Sequence, residues 1–332
     1  MKTLKLNYLL AIALLSIALV VGIFVVGCKK DNSSNNNPLA NNDVAIAQDA
    51  ESQDAVADNI DQSIDNKMTD IEENGFNSSK QKSAMTSGDS WTCLQAGDNK
   101  TDTATFPKKI TITFGDTTIN GENIKYTGSI VVTDSLSQPK HPWRNYLIRK
   151  IKYNLVIVSD SSSIIVTGTR TVNRTSIKYT PPLTTPNITS FRVDAVDAIT
   201  ANLTFQITCG TYTGTFTRVV DRTREAIAHF EKGTIYWRQA SLKDTLIYNG
   251  SVTGVNLQDS VYSRIITVPV TFTRCPLLFP VISSGTITAT NGTKIATITY
   301  TSDVCKTKVT ITRGDKVKEI ERKINRKYHK WW

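Results

Sequence analysis

An all-β fold is predicted by three features of the sequence. Apolar and polar residues alternate with period two over most of the chain from Trp91 onward, as in "KKITITFG", "YNLVIVSD" and "NLTFQITC". Polar turn sequences such as "INGEN", "SDSSS" and "ATNGTK" separate several of these runs. Threonine is abundant and glycine recurs at intervals, which suits a pleated surface that favours β-branched side chains. No helical pattern of any length interrupts the alternation, and no spacing fits a strand–helix–strand unit. The expected architecture is an extended antiparallel meander or sandwich of about a dozen short strands, preceded by one N-terminal amphipathic helix.

The chain has 332 residues, with 20% charged and 39% hydrophobic residues, enough for a substantial core. Its first element is an address. Lys2 and Lys5 precede an apolar run from Leu9 to Val26, and Val25, Val26 and Gly27 lead into Cys28. This is similar to a bacterial lipoprotein signal, in which residues 1–27 are removed and Cys28 receives lipid. Two or three acyl chains anchor firmly where one does not. The alternative is an uncleaved N-terminal membrane helix, since the run of 18 residues is just long enough to span a bilayer. Cys28 favours the lipoprotein reading because it stands where the chain turns from apolar to polar. The following "CKKDN" resembles the surface-export context of Bacteroidota lipoproteins. The expected location is therefore the outer membrane, lipid-anchored and facing the cell exterior.

Residues 28–42, rich in Asn and Ser, are expected to form a flexible tether. Residues 43–74 change character. Ile46, Ala50, Ala57, Ile60, Ile64 and Ile71 fall at spacings that follow a helical face, with Gln53 and Lys67 filling gaps in the pattern. Asn42 or Asp43 can cap its start, and Asn74-Gly75 offers a left-handed stop. The helix would be about 46 Å long. It is expected to lie on the β domain or to form a stalk, with a coiled-coil seam as the alternative. Its charge is sharply set apart: ten acidic residues and one lysine give −9, against +16 for residues 75–332. Either the basic domain receives the acidic helix, or it meets anionic glycan or lipopolysaccharide.

The β domain is expected to span residues 91–322. "PPLTTPN" (181–187) is the best candidate for an internal break, because prolines do not sit inside a paired central strand. "VKEIERKI" reads as a closing strand, and residues 323–332 form a basic tail ending in two tryptophans. "RGD" (313–315) reads as a turn.

Cys93, Cys209, Cys275 and Cys305 remain after Cys28 is set aside. An even number in an exported chain points to disulfides. The two ends of the β region echo one another, each having a cysteine before a threonine-rich strand that runs into an acidic turn. Antiparallel strands about 30 residues apart can bring Cys275 and Cys305 together, which in the chain-entropy model stabilises by roughly 3–4 kcal/mol. Cys93 and Cys209 are then a second pair or two free thiols.

Several ordered motifs carry a resemblance. They are "FPKKITITFGD" (106–116), "TGSIVVT" (127–133), "PWR" (142–144), "VTGTRTVNRT" (166–175), "RTRE" (222–225) and "SDVC" (302–305). Their order resembles that of a large group of uncharacterised Bacteroidota lipoproteins, over most of residues 93–315. The family's cysteine at the first acidic turn is absent near Asp116, which puts the first family disulfide in doubt here. The resemblance implies an extended β-meander and supplies no catalytic residues. "DTA", "DTT", "DSL", "DTL" and "DSV" also match the O-glycosylation pattern of exported Bacteroidota proteins, with Thr103, Thr117, Ser135, Thr245 and Ser260 as acceptors near expected turns.

Catalytic chemistry is poorly provided for. Glu225, His229 and Glu231 are separated by even numbers and can share a strand face, but no second histidine accompanies them. No nucleophile elbow, zincin, P-loop or paired-cysteine zinc spacing occurs. No enzyme activity, cofactor, metal or nucleic-acid partner is expected. Aromatic–basic clusters are the better binding candidates: Trp143, Arg144 and Tyr146 in a loop, and Tyr236, Trp237 and Arg238 on a strand. Flat rings stack on sugar faces and arginine pairs with anions. The alternative for each tryptophan is a plug in the β core. The function expected is non-catalytic binding of, or a structural role with, anionic glycan or envelope polymer. The alternatives are a protein-interaction module using strand edges and, less favoured, a glycan hydrolase using Glu225 and Glu231.

Overall fold

A computed structural model describes residues 90–95, 108–119, 122–135, 148–159, 162–182, 184–232, 237–239, 244–257, 259–274, 280–303 and 306–322. The signal segment, Cys28, the tether, the acidic segment 43–74 and the basic tail lie outside the described residues.

The strands are β1 (Ser90–Gln95), β2 (Lys108–Ile119), β3 (Glu122–Ser135), β4 (Ile148–Ser159), β5 (Ser162–Thr180), β6 (Ser190–Cys209) and β7 (Tyr212–Lys232). They continue as β8 (Trp237–Gln239), β9 (Thr245–Val255), β10 (Val261–Arg274), β11 (Pro280–Asn291), β12 (Lys294–Asp303), β13 (Lys306–Arg313) and β14 (Lys316–Arg322). All fourteen belong to one open sheet, and the order follows the sequence from β1 to β14, with only β8 set aside as a short partner of β7. The pairings are antiparallel throughout. The expected meander is therefore observed, as a single sheet and not two packed ones.

The strands are longer than the sequence suggests. "NLTFQITC", which reads as a short strand of its own, is the second part of one 20-residue β6 that begins in "FRVDAVDAIT", and β7 runs for 21 residues. The physical reason is phase. Ile199, Ala201 and Leu203 continue the same buried series across the join, and no glycine or proline interrupts it. The length of β7 also explains β8. Val219–Ile227 pair with β9, while Phe230–Lys232, farther along, pair with β8. The segment 181–187, expected as a break, connects β5 to β6, which pair from Ser162↔Cys209 to Thr180↔Arg192. The sheet is continuous across it.

One face is buried and the other is open to solvent. Along β4 the buried series is Arg149, Ile151, Tyr153, Leu155 and Ile157, and the intervening Lys150, Lys152 and Asn154 are exposed. Each fully buried apolar side chain of this kind contributes about 1.5–3 kcal/mol. The stacked pair Phe205–Phe216, with ring centroids 4.3 Å apart, joins β6 to β7, and Phe191–Phe230 does the same near their other ends at 5.2 Å.

Glycine on the buried face allows a backbone conformation and a close strand approach that a side chain would block. Gly168 has φ of 125°, and a Cβ there would collide with the carbonyl oxygen of Asn202 on β6. Gly128, Gly250 and Gly285 repeat the feature on β3, β9 and β11. At the other end of the domain, Gly314 with φ of 54° and Asp315 form the two-residue turn between β13 and β14. That is the turn expected of "RGD".

Candidate functional site on the two faces of the sheet

The buried face of the central strands carries a charge pattern that alternation alone does not require. Arg149 (β4), Arg170 and Arg174 (β5), Arg218, Arg222 and Arg224 (β7) and Arg264 (β10) all stand in the inward series. Arg149 is fully buried and Arg218 is 2% exposed. A guanidinium remains charged at any physiological pH, so each one brings a permanent positive charge inward.

Asp197 on β6 is the inward carboxylate among the described side chains of strands β4–β10. It lies opposite Arg174 on one side and Arg224 on the other. Arg174 Nε donates to Asp197 Oδ1 at 2.8 Å and Nη2 donates to Oδ2 at 3.2 Å. Arg224 donates to Oδ2 from Nε at 3.1 Å and from Nη2 at 2.6 Å. Burial alone would raise the Asp197 pKa, but the Arg224 and Arg174 guanidinium groups outweigh it and hold the carboxyl at about 2. The Tyr179 hydroxyl is pushed up by burial, against the opposing charge of Arg174. Arg264 lies 5.6 Å from the ring centroid of Tyr262, close enough for a cation–π contact.

The outward face is different in kind. Successive cross-strand partners form rows: Lys152, Thr169 and Asn202 across β4–β6, and Thr253, Ser263 and Thr290 across β9–β11. A neighbouring row runs from Lys150 through Thr171, Thr200, Asp221 and Ser251. Farther along the sheet, Thr288, Thr297 and Thr312 stand abreast. Neighbouring hydroxyls and amides in a row are about 4.8 Å apart. Lys150 and Lys152 on β4 and Lys308 on β13 are exposed on this face.

Glu225, His229 and Glu231 do share this outward side of β7, as their even spacing requires. The imidazole, however, turns to a residue that the sequence pattern did not single out. His229 Nδ1 lies 3.1 Å from Asp244 Oδ1, which also accepts the His229 backbone N–H at 2.8 Å. Asp244 is fully buried just before β9, so this contact ties β7 to the start of that strand. Among the described residues no three His, Cys, Asp or Glu side chains converge to hold a metal ion. Arg192, opposite His229, is engaged on its own strand by Asp194 at 2.6 Å.

The other residues singled out in the sequence are distributed as follows. Cys93 stands on β1 opposite Ile110, and Cys209 ends β6 opposite Tyr212. Trp237 and Arg238 are on β8, opposite Lys232 and Glu231. Trp143, Arg144, Tyr146, Tyr236, Cys275, Cys305 and Thr103 lie outside the described residues. Thr117 is on β2 at a register shift, and Ser135 ends β3. Thr245 opens β9, and its hydroxyl oxygen is enclosed. Ser260 lies in the β9–β10 turn, where its N–H donates to Asn256 Oδ1. Of the described acceptor positions, this turn is better suited to a bulky glycan than Thr245 is.

The inward arginines and Asp197 were not singled out in the sequence, although a signal exists. Each is a charged residue in the apolar phase of an alternating strand, as in "YTGTFTRVV", where Arg218 keeps step with Phe216 and Val220. In "FRVDAVDAIT" the two aspartates are three apart, an odd spacing that sends Asp194 outward and Asp197 inward.

No family model, no curated protein and no solved structure matches this chain.

Proposed function

We propose that this is a lipid-anchored envelope protein, held at the outer membrane through Cys28 and facing the cell exterior, that binds anionic glycan or envelope polymer without catalysis. The observation that carries the binding reading is the outward face of the sheet. It offers rows of hydroxyl and amide groups at strand spacing, with exposed lysines on β4 and β13. Such a surface supplies many shallow hydrogen bonds to a linear polyhydroxylated chain, and its lysines favour acidic chains over neutral ones. The location rests on the lipoprotein-like N-terminus.

Binding should be retained for an acidic polysaccharide such as a polyuronate at low salt, and weaken as salt rises toward 0.5 M, a choice of condition set by charge screening on the order of a few Å. Replacing Lys150 and Lys152 by glutamine should weaken it further without altering the fold. Equal affinity for neutral and acidic chains, or none for either at low salt, counts against the reading.

A protein-interaction role through strand edges is the second reading. Among the described residues the open sheet ends at β1 and β14. The edge at β14 carries Lys316, Lys318, Glu319, Glu321 and Arg322, and charges of this density discourage further strand pairing. That observation ranks the edge reading below the face reading.

A further inference from the structure

The rows of the outward face differ in what their side chains already do. The row that starts at Lys150 on β4 continues past Ser251 on β9 through Ile265 on β10 to Thr288, Thr297 and Thr312 on β11–β13. Partner follows partner in it without a shift over eight strand steps, about 38 Å at the usual strand spacing. The bulges in the β5–β6 pair and along β10 lie to one side of it. Among the described residues its threonine and serine hydroxyls make no hydrogen bond, whereas Ser263 and Thr290 in the neighbouring row bond each other at 2.7 Å. Unspent hydroxyls in line are donors and acceptors held ready for a ligand.

Two charges stand in this row, Lys150 on β4 and Asp221 on β7. Both are exposed, and neither has an ion-pair partner among the described residues. The outward neighbours of Asp221 are Thr200, Ser251, Val219 and Thr223, none of them charged. Lys150 and Asp221 are three strand steps apart, about 14 Å. We infer that this row is a rail for an extended chain of alternating acidic and neutral sugars, lying across the strands at one sugar per strand, with Asp221 as the residue that selects it over polyuronate. The rail presupposes the glycan-binding role proposed above and adds to it a direction, a spacing and a sugar pattern.

The direction follows from what each path offers. Along β7 the outward series adds Glu225 and Glu231 to Asp221, an acidic ridge that an anionic chain avoids. Across the strands the same chain meets one lysine, one aspartate and a line of hydroxyls. The spacing follows from the polymer, because an extended chain with equatorial linkages advances by close to one strand spacing per sugar. The sugar pattern follows from the two charges. Uronate at every position sets a carboxylate against Asp221, where like charges repel. With alternation, three steps being odd, a carboxylate at Lys150 leaves a neutral sugar over Asp221. Its hydroxyls then donate to the Asp221 carboxylate. Ile265, 49% exposed in the same row, offers an aliphatic surface to the C–H side of a ring. Polyuronate still binds through the lysines, but more weakly.

The test titrates the full chain at low salt, by calorimetry, with three probes. They are four-sugar and eight-sugar chains alternating glucuronate and N-acetylglucosamine, and an eight-sugar chain of β-1,4-linked mannuronate. The alternating eight-sugar chain should bind about tenfold tighter than either of the others. Asp221→Asn should bring mannuronate to within about threefold of the alternating chain, at an unchanged melting temperature. Replacing Thr297 and Thr312 by valine should weaken the eight-sugar chain and leave the four-sugar chain as it was. Equal affinity for the two lengths, or an Asp221→Asn variant that keeps the parent preference, overturns the rail while glycan binding stands. Absence of binding by every probe overturns the glycan-binding role itself, and the rail with it.

Discussion

Strands β4–β7 and strands β11–β13 share one sheet, one alternation and one threonine-rich outward face, yet their buried faces are built differently. In the C-terminal strands the core is Ile287, Ala289, Ala296, Ile298, Tyr300, Val309 and Ile311 with Ile282, and it packs on Val270, Ile266 and Phe272 of β10. The buried polar side chain described in β11–β13 is Thr307, whose hydroxyl bonds the Ile282 backbone. In the central strands the same geometry encloses Arg149, Arg170, Arg174, Arg218 and Asp197 among Ile151, Val172, Leu203 and Val220. Apolar packing with a buried, hydrogen-bonded hydroxyl serves for the C-terminal strands. The inward charges of the central strands are therefore an added feature, and a costly one without compensation.

The sharpest way to break the comparison is at Asp197. Removing its carboxylate by Asp197→Ala leaves Arg174 and Arg224 facing one another and should destabilise by about 3–5 kcal/mol, read by urea denaturation. Replacing all three together by apolar residues of similar volume should recover most of that loss, because the charges then disappear as a group. In the C-terminal strands Ile298→Ala should cost about 3 kcal/mol by cavity formation, with no dependence on its neighbours' charge.

Acid should separate the two regions next. The Asp197 carboxyl titrates at about 2 in the folded chain, against 3.8 ordinarily. Its contribution is present above the ordinary value and is lost as pH falls from about 4 toward 2. The loss amounts to about 2 kcal/mol at the acid end. Stability measured across this window should show that component in the parent chain and lack it in Asp197→Asn. The smallest effect belongs to the outward face. Thr169→Ala in the centre and Thr301→Ala near the C-terminus should each change stability by no more than about 0.5 kcal/mol.

Much of this fold is legible in the sequence because a strand writes its burial pattern every second residue. "KIATITYT" gives Ala296, Ile298 and Tyr300 inward and Thr297 and Thr299 outward without ambiguity. Strand ends are less legible. At Thr200-Ala201 the sign that one strand continues is the unbroken phase of Ile199, Ala201 and Leu203, which marks no end, whereas Pro181 and Pro182 suggest a boundary between domains where the structure has a connection between paired neighbours. The site was harder still. Arginine reads as a surface residue, and only its phase relative to apolar neighbours reveals that Arg149 and Arg218 turn inward. The contact between His229 and Asp244 joins β7 to the residue just before β9 and carries no spacing signature at all.

The account assigns the two faces separate tasks, with recognition outside and charge-balanced stability inside. Retention of the full chain on a gel containing an acidic polyuronate tests this division most directly, comparing the Lys150→Gln/Lys152→Gln pair with Asp197→Asn. The lysine variant should lose most of its retardation and keep the parent melting temperature. Asp197→Asn should keep its retardation and melt earlier. If the lysine variant is retarded as strongly as the parent, or if Asp197→Asn loses retardation while still folded, the division is wrong.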